Sequence, residues 1–132
     1  SYTARPSSVT FWMKNNQGNI THGNKVSGQD PYSAMVLITD GTTYTVDTTN
    51  ESSFLTADNL KDKPGMIAYG YLSDTDSNGE WVQKTIELTY VDNWQSMTPR
   101  KISVSFSTSA YGDYFCGSTD SWMYVDDIKL NY

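Results

Sequence analysis

The side chains best suited to recognition chemistry are Trp94 and its neighbours Asp92 and Asn93, in the stretch Asp92-Asn93-Trp94-Gln95-Ser96. An indole face stacks on the C–H surface of a pyranose, while a carboxylate and an amide take the hydroxyls around it. Tyr111 and Asp113 make a second such pair, which would stand opposite the first if the two loops share one end of the fold. Trp12, between Thr10 and Lys14, and Trp81, on one face with Gln83 and Thr85, offer a further platform if a sheet face is used. For each tryptophan the alternative is a structural plug that covers a sheet edge or closes an end of the fold.

Two features could hold a cation, with calcium as the candidate. Asp74-Thr75-Asp76-Ser77-Asn78-Gly79 reproduces the first half of a D-x-[DN]-x-[DN]-G loop, with Asp74, Asp76 and Asn78 as oxygen donors. The last position of such a loop would be Thr85 rather than a bidentate Glu, which excludes an EF-hand. What remains is a weak calcium loop or an ordinary polar connection with a glycine turn. Asp126 lies in the run 122–132, where strict alternation puts it on one face with Tyr124, Ile128, Leu130 and Tyr132. A carboxylate on a core face must accept N–H groups from a loop, bind a cation, or be turned outward by a β-bulge. The connection 107–121, with its glycines and serines, is the loop that such a clamp would serve.

Hydrolytic chemistry is poorly supplied. A glycosidase needs two carboxylates facing each other at about 5–5.5 Å or 6.5–9.5 Å. The chain has 12 Asp but only three Glu, of which Glu80 falls in a turn and Glu87 on an outward strand face, so no pair stands out. The single His22 sits in a polar stretch with no G-x-S-x-G nucleophile motif near it, and reads as a solvated loop histidine. The lone Cys116 excludes an intramolecular disulfide and a multi-cysteine zinc site, and reads as a structural thiol.

The elements that must position these groups have a period of two almost throughout. Val9, Phe11 and Met13 alternate with Thr10, Trp12 and Lys14, which predicts a strand over 9–14. The same pattern predicts strands at 34–39, 43–46, 65–72, 82–90, 100–107 and 122–132, with one short helical piece at 52–59. Turn chemistry at Asp40-Gly41, Lys63-Pro64-Gly65 and Ser77-Asn78-Gly79 separates them. Short strands divided by turns predict an all-β fold, an antiparallel β-sandwich or barrel. No repeat or linker divides residues 1–132, which form a single domain.

Charged residues make up 18% of the chain and aromatic residues 14%, a balance that excludes disorder as the main state. The net charge of −6 disfavours nucleic acid, which requires cations to replace phosphate counterions. No run approaches the roughly 18 apolar residues of a membrane helix.

Three segments carry a family resemblance. Arg5-Pro6-Ser7-Ser8-Val9-Thr10-Phe11-Trp12-Met13-Lys14, preceded by Ala4, resembles an R-P-x-x-L-x-F-x-Y-K strand, and Trp81 to Tyr90 resembles a W-x-x-x-x-I-x-L-x-Y strand. Ser107-Thr108-Ser109-Ala110-Tyr111-Gly112-Asp113-Tyr114-Phe115-Cys116-Gly117-Ser118, followed by Ser121-Trp122-Met123-Tyr124-Val125-Asp126-Asp127-Ile128-Lys129-Leu130, resembles the closing signature of the same family. That family is the putative carbohydrate metabolism domain of secreted and surface proteins of Bacteroidales. The resemblance implies a galactose-binding-like jelly roll similar to the carbohydrate-binding modules attached to glycoside hydrolases. It implies a cell-envelope or extracellular setting, a carbohydrate partner, and a place behind an upstream domain of the same protein. One or two strands upstream of Ser1 would belong to such a fold. In jelly rolls of this type a structural calcium joins residues of those strands to the terminal-strand carboxylate, here Asp126. The expected function is a non-catalytic carbohydrate-binding module. The alternatives are a structural or adhesive surface module, whose aromatics would form a protein interface, and a glycoside hydrolase-related domain, marked by a carboxylate pair in a deep cleft.

Overall fold

A computed structural model describes residues 5–132, so that Ala4 of the opening motif lies outside the described residues. In β1 (Ser8–Asn16) alternation acts as expected: Val9, Phe11 and Met13 are fully buried and Trp12 turns to solvent. The other strands are β2 (Tyr32–Thr39), β3 (Met66–Asp74), β4 (Asn78–Glu87), β5 (Thr89–Tyr90), β6 (Lys101–Ser107) and β7 (Trp122–Asn131). They form two antiparallel sheets, of order β4-β1-β7 and β5-β3-β2-β6. The fold is an antiparallel β-sandwich. Its core lies between the sheets, where Phe11 meets Phe106 edge-on at 5.0 Å among Val36, Ile86, Val104 and Val125. Helix among the described residues is confined to single 3₁₀ turns, and none is long and apolar enough to cross a membrane.

Three predicted elements differ. Residues 43–46 pair with no strand, and the Tyr44 hydroxyl instead donates to the Pro64 carbonyl at 2.7 Å. The helical piece at 52–59 is replaced by 3₁₀ turns at Glu51–Ser53 and Leu60–Asp62. Local side-chain bonds outcompete helix there: the Asn50 side chain accepts from the Ser52 N–H, and Asn59 bridges the Thr56 N–H and the Phe54 carbonyl. The run 82–90 is broken at Leu88, where the chain leaves the three-stranded sheet and joins the other as β5. Gly70 on β3 permits the crossing, because a Cβ there would come within 2.5 Å of Ile86 Cγ2 and 2.8 Å of the Glu87 carbonyl.

The last strand runs in the opposite phase from the one alternation suggested. Met123 and Val125 face the core, whereas Trp122, Tyr124 and Asp126 face outward. A bulge then inserts one residue opposite Thr10–Trp12, with Asp127 in the left-handed region at φ 52°, and returns Leu130 to the core. Asp126 is therefore exposed, and of the three accounts open to it the bulge is the one found. It clamps no loop.

Candidate functional site

The outer face of the four-stranded sheet is the one covered by a long excursion of the chain. Its register aligns Ser33 with Ser107 and Ser73, Met35 with Ser105 and Tyr71, and Leu37 with Ser103 and Tyr69. Residues 40–65, between β2 and β3, pass over this face as a strap. Leu55, Leu60 and Tyr44 of the strap pack on Met35, Leu37, Tyr69 and Tyr71, an apolar contact that ties an irregular segment to the sheet. Short polar bonds stiffen it from within: Asp47 accepts from the Thr49 N–H and hydroxyl, and the Ser53 hydroxyl donates to the carbonyls of Asp47 and Asn50. Its far end is pinned by Phe54, which meets Tyr114 edge-on at 5.1 Å, and by the Lys25–Glu51 ion pair.

The connection 107–121 borders this face and is held by a residue that sequence reasoning missed. Asp30 is fully buried, and its Oδ2 accepts from Ser109 Oγ at 2.6 Å, Ser121 Oγ at 2.8 Å and the Ser118 N–H at 3.0 Å. This is the loop clamp that stood as one of three accounts of Asp126, performed by another carboxylate. The Gln17 side chain reinforces it by donating to the carbonyls of both Asp30 and Thr108. One signal was present, an Asp directly before Pro31 at the mouth of an apolar strand, but 12 Asp share the chain. Only tertiary packing singles it out.

Between strap and sheet lie three concavities. The first, of about 220 Å³, has Met35 and Leu55 for apolar walls and presents the hydroxyls of Ser33, Ser105 and Ser107, together with Tyr71 and Asp113. Burial raises the Tyr71 phenol above its usual pKa, against the opposing effect of the Ser33 and Ser73 hydroxyls, and it is neutral at pH 7 as an ordinary phenol is. The second, of about 200 Å³, continues on the far side of Leu55 past Tyr44, Lys101 and Ser103. The third, of about 370 Å³, lies beside the 3₁₀ turn of the strap and carries Tyr69, Asp92, Asn93 and Asp62. Of the three it alone has two carboxylates. Both are exposed, whereas a general acid at neutral pH needs the dry surroundings that raise a carboxyl pKa.

The predicted site residues are thus divided. Asp113 lines the first concavity, and Asp92 and Asn93 line the third, so the two pairs share a sheet face but no concavity. Tyr111 packs against Tyr114 at 6.4 Å. Trp94 is half-buried, set against Ile38, Ile67 and Ala68 and sandwiched between Tyr90 at 5.2 Å and the Arg5 guanidinium at 5.3 Å. Its loop position did not leave it free, because it closes one end of the sandwich. Trp12 and Trp81 are exposed on the opposite sheet.

Two of the proposed cation ligands, Asp76 and Asn78, are bonded to each other and to further protein groups. Asp76 Oδ2 accepts from Lys84 Nζ at 3.1 Å and Asn78 Nδ2 at 2.9 Å. Burial alone would raise its pKa, but the Asn78 amide and the Lys84 ammonium hold it below the usual carboxylate value. Asn78 is committed as a donor to Asn15 as well, and Asp74 caps the Thr75 N–H. These residues belong to a connection between the two sheets, since β3 and β4 are not paired. Among the described residues no group of three or more His, Cys, Asp or Glu is placed to hold a metal, and Asp76 and Asn78 are already engaged with Lys84 and Asn15. A chelator is therefore expected to leave the melting temperature unchanged in a thermal scan. A fall with EDTA that calcium reverses would show that these oxygens are ligands after all.

The sequence matches the family described as putative carbohydrate metabolism domain over residues 1–131. Two solved structures share the fold, both described as putative glycoside hydrolases. The one from Bacteroides thetaiotaomicron aligns with a TM-score of 0.71 at 19% identity, covering 99% of this chain and 39% of its own. The one from Bacteroides vulgatus aligns with a TM-score of 0.68 at 19% identity, covering 98% of this chain and 54% of its own. The chain thus spans about half or less of these neighbours. A search of curated proteins finds no match. With the match running through every strand of the sandwich, the chain belongs to the putative carbohydrate metabolism domain family.

Proposed function

We propose that this domain binds carbohydrate without cleaving it, in the concavities between the strap and the four-stranded sheet, as one module of a longer extracytoplasmic glycan-utilisation protein. The observation that carries the reading is the first concavity. Ser33, Ser105, Ser107 and Ser109, the Tyr71 phenol and Asp113 line it together with Met35 and Leu55. A saccharide needs that mixture, since its C–H faces seek apolar walls while its hydroxyls each donate and accept. The family assignment supports a carbohydrate ligand, and the partial coverage of the solved neighbours supports a multi-domain setting. The test is a binding screen against an array of soluble oligosaccharides. A hit is expected. Silence from a folded sample would transfer the argument to a structural or adhesive module.

A further inference from the structure

We propose a second sugar-binding surface, on the outer face of the three-stranded sheet, for an extended neutral polysaccharide. Trp12 (40% exposed), Trp81 (43%), Trp122 (42%) and Tyr124 (58%) all lie on this face and are exposed among the described residues. They alternate with hydrogen-bonding groups. Trp12 stands between Gln83 on β4 and Asp126 on β7, and Asn16 stands beside Trp122. Lys14 lies between Trp81 and Tyr124, its Nζ 5.4 Å from one ring centroid and 5.5 Å from the other. Strands about 4.8 Å apart place the backbones of those two rings roughly 10 Å from each other, a span suited to alternate sugars of an extended chain laid across the sheet.

Chemistry selects the occupant. The buried centre of a protein interface is depleted of charge, whereas Lys14 and Asp126 are set among these rings. An anionic polymer is disfavoured by the net charge of −6 and by Lys14 being already seated on two ring faces. A neutral polysaccharide uses both ring faces and the polar groups between them. This surface is separate from the strap-covered face, so each reading can fail alone.

The test is co-sedimentation of the domain with insoluble cellulose, chitin and mannan. Retention on at least one is expected, with the bound fraction falling at least 10-fold in Trp81→Ala and in Trp122→Ala, and unchanged in Asp58→Ala, an exposed strap position outside both surfaces. No retention on any of the three polymers overturns the proposal, as does retention that survives both tryptophan substitutions. Loss in Tyr71→Ala alone overturns it too, while supporting the strap-covered site. The unsubstituted protein gives a readout independent of whether a variant folds. Soluble oligosaccharides of the retained polymer should shield the indoles from acrylamide quenching, and indoles left unshielded at saturation overturn the proposal.

Discussion

Asp30→Ala is expected to destabilise the domain by roughly 2–4 kcal/mol and to lower its melting temperature by about 10 °C. The substitution leaves the Ser118 N–H and two serine hydroxyls facing a void where Oδ2 had accepted all three. The hydroxyls can rotate to other acceptors but the backbone N–H cannot, and a buried donor left unsatisfied costs about 1–3 kcal/mol by itself. Asp126→Ala is the matched control. Its side chain is exposed and accepts only from the next N–H in the chain, so the change should stay within about 0.5 kcal/mol. Denaturant melts of the two variants check the contrast, and equal losses would refute the assignment of the clamp. Because the clamped connection supplies Ser109, Gly112 and Asp113 to the first concavity, Asp30→Ala should also weaken ligand binding at temperatures where it remains folded.

Tyr71→Ala is expected to reduce affinity for the array's best oligosaccharide by about 1–3 kcal/mol, or roughly 5–150-fold. Tyr71 lines the first concavity, placed beside Met35 by the β2–β3 register and packed against the strap. Tyr71→Phe separates its two contributions. It keeps the ring and removes the hydroxyl, so it should lose about 0.5–1.5 kcal/mol, the net worth of one hydrogen bond. Calorimetric titration of both variants checks the order. Equal affinity of Tyr71→Ala and the unsubstituted protein would remove this concavity from the site.

Much of the sandwich is readable from alternation alone, because one face of most strands packs on the core. β6 is the plainest case, with Ile102, Val104 and Phe106 inward and Ser103, Ser105 and Ser107 outward. The same regularity hides other features. Ile86, Leu88 and Tyr90 keep one phase through a change of sheet, so nothing in the pattern marks the break after Glu87. In β7 the apolar pairs Met123/Val125 and Ile128/Leu130 are out of phase by one residue. The bulge brings Leu130 back to the core and leaves Ile128 exposed, and the large rings of Trp122 and Tyr124 favour the wrong choice of face. The strap has no period at all, since Asx-type side-chain bonds rather than a ladder hold it. It therefore reads as an ordinary loop until its contacts with Met35 and Tyr71 are seen. The site follows the same division. Asp113, Asp92 and Asn93 are recognisable by type and loop position, but the serine row of β6 has no distinguishing chemistry until the strap is placed over it.

The central claim is that carbohydrate is held between the strap and the four-stranded sheet, and amide chemical-shift mapping during titration with the best oligosaccharide tests it most directly. The account predicts that the largest changes fall on Ser33, Tyr71, Ser105, Ser107 and Asp113, with the strap around Leu55 responding alongside them. Changes that leave these residues untouched would contradict it, even if binding itself were tight.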